Sequence, residues 1–139
     1  MSNVVKKNFD APDNTMNQVE KIKLDIVEAG GIKLVRVTAE PGWKWSVHSK
    51  PVQKTDSCQI DHVLYMLSGS VAALDDNGQQ TDFAAGDVGH IPPNHDGWTI
   101  GNEAAGCDEA GGDPLKPVSA ARCLTATAAP IRPAAPVRR

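Results

Sequence analysis

This chain has no histidine before residue 48 and none after residue 95. Aromatic residues are also scarce, at three Trp, one Tyr and two Phe, so any aromatic wall must be built from those few rings. Cysteine numbers three, an odd count without framework spacing, which speaks against a disulfide scaffold. No apolar run reaches membrane-spanning length, and the opening MSNVVKKNFDAPDN lacks the hydrophobic stretch of a signal peptide. A cytoplasmic protein with no membrane partner is the expectation. Charge of one sign is lacking too. The formal net charge is −3 and the basic residues form no stripe, which argues against a nucleic-acid partner.

What is present reads as one small domain. A chain of 139 residues with 40% hydrophobic residues suffices for a single core. Residues 1–20 are polar and read as an N-terminal arm. Lys21 to Glu28 alternates, with Ile22, Leu24 and Ile26 on one face. Gly30-Gly31 then turns the chain into the β-branched run Ile32 to Thr38, which makes a hairpin. Trp43 to His48 alternates again, placing Trp43, Trp45 and Val47 on one face and Lys44, Ser46 and His48 on the other. A polar loop over 49–61 precedes strands at His62 to Leu67 and Ser70 to Leu74. Asp75-Asp76-Asn77-Gly78 is a hairpin turn, because Asn and Gly tolerate positive φ. Gln79 to Phe83, Val88 to Ile91 and Trp98 to Ile100 complete the series. Many short strands without a long amphipathic helix predict an all-β, antiparallel barrel or sandwich.

From residue 103 onward the composition shifts to Ala, Pro, Gly and Arg, with almost no large apolar side chain. That composition predicts an irregular tail over 103–139, outside a working barrel over 21–102.

The histidines sit in glycine-framed blocks: Gly42-x5-His48, then His62-x6-Gly69, then Gly86-x5-Pro92 followed by Pro93-Asn94-His95. These blocks resemble the paired motifs of the cupin superfamily, G-x5-H-x-H-x(3,4)-E-x6-G and G-x5-P-x-G-x2-H-x3-N. The strings PGWKWSVH, DSCQIDHVLYMLSG and GDVGHIPPNHDGW are similar to those of small bacterial single-domain cupins, over roughly residues 8 to 102. The resemblance implies an antiparallel cupin jelly-roll barrel with a divalent metal in its mouth. Departures are visible as well. Lys50 stands at the second histidine position, His62 at the glutamate position, Asn94 at a glycine position and Gly97 at the last histidine position. Asn is the next best residue at positive φ, so the Asn94 turn is expected to survive.

Carried onto this sequence, the resemblance makes His48 a metal ligand and His62 a second one. Cys58 precedes His62 by a C-x3-H interval and offers a thiolate, and His95 is positioned to close the set. Such a mixture of imidazole and thiolate favours zinc, with iron, nickel or copper as other divalent candidates. Each residue also has an ordinary structural reading: a hydrogen-bonded interior histidine, or a buried thiol acting as a small hydrophobe. Trp43, Trp45, Tyr65, His90 and Trp98 are the candidate lining of a pocket for a small organic ligand, and serve equally as wall residues. No catalytic residue is assigned. The reading is a metal-binding cupin, an enzyme in one version and a metal-free metabolite binder or sensor in the other. Exposed strand edges predict a homodimer in which the arm or first strand joins the partner's sheet.

Overall fold

A computed structural model describes residues 3–110 of the chain. Nine strands occupy most of it: β1 (Asn14–Met16), β2 (Ile22–Ala29), β3 (Ile32–Ala39), β4 (His62–Ser68), β5 (Ser70–Leu74), β6 (Gln80–Ala84), β7 (Val88–Ile91), β8 (Asp96–Ile100) and β9 (Ala105–Ala110). They form a six-stranded sheet, ordered β1-β2-β3-β9-β4-β7, and a three-stranded sheet, ordered β6-β5-β8. Every recorded pairing is antiparallel. The architecture is an all-β jelly roll in which the two sheets remain separate ladders instead of closing into one barrel.

Turn chemistry explains much of this layout. Gly30 and Gly31 both take positive φ, 61° and 76°, and close the β2–β3 hairpin over an eight-residue register from Ile22↔Ala39 to Ala29↔Ile32. Gly69 (φ +63°) turns β4 into β5 where a Cβ would lie 2.5 Å from the Ala104 carbonyl oxygen, so no other residue fits there. Period-two alternation then sorts the faces. On β4, Leu64 and Met66 are buried while Val63, Tyr65 and Leu67 are exposed. Leu64 and Met66 join Ala39, Ala105 and Cys107 in the core, with Val71 and Phe83 of the smaller sheet packed against them.

Two expectations need correction. Trp43 to His48 is not a strand: Trp45–Ser49 forms a π-helical turn and Lys50–Gln53 a short α-helix, α1, with Pro51 in its first turn. Proline is well placed there because the first helical N–H groups have no intrahelical partner. The Asp96 carboxylate accepts the Ser46 N–H (3.0 Å) and ties this turn to β8.

The working fold also does not end at residue 102. Strand β9 pairs with β3 from Leu34↔Ala110 to Ala39↔Ala105, and with β4 from Leu64↔Glu109 to Ser68↔Gly106. It is the strand that joins β1-β2-β3 to β4-β7. The remainder of the expected tail, 111–139, lies outside the described residues. Part of the expected N-terminal arm, Asn14–Met16, is the edge strand β1 and pairs with β2 of its own chain.

Candidate metal centre

Three of the four expected ligands come together. Donor atoms of Cys58, His62 and His95 all lie within 4.8 Å of one another. His62 begins β4 and points to the inner face with Leu64 and Met66. Cys58 lies in the loop before it, and His95 immediately precedes β8. Backbone pairing holds the last two together: the Cys58 N–H donates to the His95 carbonyl (2.8 Å) and the Asn94 N–H donates to the Cys58 carbonyl (2.8 Å). Asn94 takes positive φ (72°), as its place in the second block predicts, and its side-chain oxygen accepts from Gln59 (2.9 Å).

The hydrogen bonds behind the histidines orient them. The His95 Nδ1–H donates to the Pro92 carbonyl (2.6 Å), which leaves Nε2 as the free ring nitrogen. The His62 Nδ1–H donates to Glu109 Oε1 (2.9 Å), which turns its Nε2 toward Cys58 Sγ at 3.6 Å. Carboxylate or carbonyl partners of this kind fix tautomer and ring direction in metal-binding histidines. The spacing also fits an ion. With zinc–sulfur near 2.3 Å and zinc–nitrogen near 2.05 Å, a tetrahedral angle separates the two donors by roughly 3.6 Å.

Electrostatics favour a thiolate. Burial pushes the Cys58 thiol up, but hydrogen bonds and charge from His62 and His95 outweigh it and bring the pKa down to about 6. Burial pushes His62 down, whereas the Glu109 charge and the hydrogen bonds of Cys58 and Glu109 raise it to about 10. In the metal-free site both shifts favour a thiolate–imidazolium pair. Cys107 behaves oppositely. Burial first, then the nearby Glu109 and Asp108 charges, push its thiol well above the usual range and leave it inert.

The other expected site residues divide. Trp43 and Trp45 line a cavity of about 160 Å³ that contains the three donors. His48 stands outside the cluster. The π-helical turn replaces the alternation that aimed it inward, and its Nδ1 accepts the Lys44 N–H (3.0 Å). Tyr65 and His90 lie on the outer face of the large sheet, because their neighbours Leu64, Met66 and Gly89 take the inner one. His90 pairs there with Asp61. Trp98 faces away from the cavity, since Gly97 points in; its ring lies 5.2 Å from the Lys44 ammonium. Glu109 is the residue that sequence reasoning missed. The small-residue alternation Ala105-x-Cys107-x-Glu109 was its signal, hidden by the lack of large apolar side chains.

No family model matches the sequence, and no curated protein matches it either. Solved structures do. A Rhizobium leguminosarum protein of unknown function is 14% identical, covering 78% of this chain and 96% of that one, with a TM-score of 0.56. KdgF from a Halomonas species is 16% identical over 70% of this chain and 85% of that one, with a TM-score of 0.50. More distant is a cupin-like protein from Thermotoga maritima, 17% identical over 64% and 66%, with a TM-score of 0.46. Residues of both glycine-framed blocks, Trp43 and His62 of the first and Ile91 and His95 of the second, line one cavity. The fold shared with the first two structures is an antiparallel β jelly roll. Identities this low speak for the fold alone. In this chain, the carboxylate expected from the first block comes instead from β9, as a partner of His62.

Proposed function

We propose that this chain is a cupin that holds a divalent ion, zinc by preference, on Cys58, His62 and His95, and binds a small organic molecule beside it. One observation carries the reading. Both histidines have their Nδ1–H groups tied to Glu109 and Pro92, so both Nε2 atoms are left for a donor cluster with the Cys58 sulfur. Three protein donors leave room for water or a ligand, the pattern of catalytic zinc sites more than of closed structural ones. A bound divalent ion polarises a carbonyl or acidifies a bound water. The chain's own residues do the rest. Glu109 keeps the His62 Nδ1 proton in place, while Trp43, Trp45, Leu64 and Ile91 keep bulk water from the donors.

Plasma emission analysis of freshly purified protein tests this. Near-stoichiometric zinc, lost in Cys58→Ser, is the expected result; metal-free protein that takes up neither zinc nor cobalt overturns it. A second reading has a specific observation behind it. Cys58 and His62 satisfy one another without any ion, which suits a metal-free metabolite binder. Assembly as a homodimer through the outer edge of β1 belongs to the same proposal, because that edge is unpaired among the described residues. Light scattering at micromolar concentration that shows monomer alone would count against it.

A further inference from the structure

The walls of the cavity differ sharply from its inner end. Ile22, Leu24, Val37, Trp43, Val71 and Ile91 give it apolar sides from both sheets, and the exposed side chains of Gln18 and Val52 stand at its rim. The indole N–H groups along those sides are already engaged. The Trp43 indole N–H donates to Ser49 Oγ (3.2 Å), and the Trp45 indole N–H donates to Gln53 Oε1 (3.2 Å). Neither Lys nor Arg is among the described residues that line the cavity, and its one carboxylate, Glu109, is taken up by His62. Apart from the amides of Gln18 and Gln53 and the Ser49 hydroxyl, a ligand meets open polar atoms at the Cys58–His62–His95 corner.

We infer that this cavity selects compact, uncharged, mainly apolar molecules that present one donor atom to that corner, and that it rejects dicarboxylates and phosphates. The inference deepens the metal reading and rests on it for the donor contact, though not for the apolar walls. Size sets the first limit. About 160 Å³ is the scale of an apolar cavity that holds benzene, so one ring with a single small substituent fills it. Charge sets the second. A second anionic group would sit against mainly apolar walls without a Lys or Arg to replace its water, and such burial is strongly unfavourable. A donor atom on the metal and a ring on the walls use every feature the site offers.

The probes are benzene, phenol and malonate, bound to metal-free and zinc-loaded full-length protein and followed by ligand-observed NMR and thermal shift. Benzene should bind both forms alike. Phenol should bind the zinc-loaded form at least about tenfold more tightly than malonate, and should lose that advantage without zinc. Ala73→Leu, which fills the cavity from β5 on the face it shares with Gly97, should abolish benzene binding yet keep zinc uptake. Val37→Phe from the opposite wall does the same and stands in if Ala73→Leu does not fold. Saturable benzene binding that these variants remove supports the apolar selection even if zinc is never taken up, an outcome that sinks only the metal reading. Malonate binding as tightly as phenol, or benzene binding neither form, overturns the inference.

Discussion

Two histidine–carboxylate pairs lie on the large sheet, and they teach different lessons. His62–Glu109 joins β4 to β9 on the inner face, with the side chains 18% and 16% exposed. His90–Asp61 lies on the outer face, at 60% and 28%. The chemical groups are the same. On the outside, water screens both partners, and such a pair contributes about 0–1 kcal/mol. On the inside, the carboxylate fixes a tautomer, raises the imidazole and helps the neighbouring thiol to ionise. A histidine beside an acid becomes a site only where burial and a third group, here Cys58, are added.

The most severe way to break the comparison is to remove the strand that carries one acid. Ending the chain after Asn102 deletes β9, splits the large sheet between β3 and β4, and leaves Asp61 in place. Cooperative urea unfolding followed by tryptophan fluorescence should disappear; a truncated protein with an intact transition would show that β9 is dispensable. Next in size is His62→Ala against His90→Ala. Competition with a zinc chelator should show that the first loses more affinity than the roughly 10–100-fold an outer partner costs. The second should match the parent, as should His48→Ala. Equal losses at positions 62 and 90 would refute the inner site.

Glu109→Gln against Asp61→Asn separates the acids themselves. Zinc affinity should fall about 10–100-fold for the former and stay unchanged for the latter, whose stability should remain within about 0.5 kcal/mol. The smallest effect is in the pH profile of metal-free protein. His62 is raised from 6.5 to about 10, so its contribution is full below 6.5 and is lost as pH rises through 10. Cys58 is lowered from 9.0 to about 6, so its contribution is full above 9.0 and is lost as pH falls through 6. From 6.5 to 9.0 the two slopes oppose each other, and stability should be flat; above 9.0 it should decline. In Cys58→Ser only the histidine slope remains, so the decline should start near 6.5. A Cys58→Ser profile as flat as that of the parent would show that the two groups are not paired.

Much of this was legible in the residues. Gly30-Gly31, the Asp75 to Gly78 turn and Asn94 announce their conformations because few residues tolerate positive φ. The strands show through wherever large apolar side chains alternate with polar ones, as in Ile22, Leu24 and Ile26. The C-x3-H interval marked Cys58 and His62. Failures arose where alternation gave no guide. Trp43 to His48 alternates on paper, yet Pro51 and the Asp96 contact set the local backbone, and His48 turns outward. In β9 the inward positions Ala105 and Cys107 are small, since neighbouring Leu64 and Met66 fill the space, so the central strand looked like tail. Trp98 was expected to follow its size into the cavity, but Gly97 takes that position.

The main-chain clamp between Cys58 and Asn94–His95 separates where donors stand from what they are. Its hydrogen bonds run from amide to carbonyl and involve no side chain of either residue. The backbone thus sets where positions 58 and 95 stand, and the side chains set which donors they offer. Exchanging Cys58 for aspartate would change the hardness of the site while leaving that main-chain pairing its amide and carbonyl groups. A scaffold wired in this way can move between metals, or to none, by single substitutions.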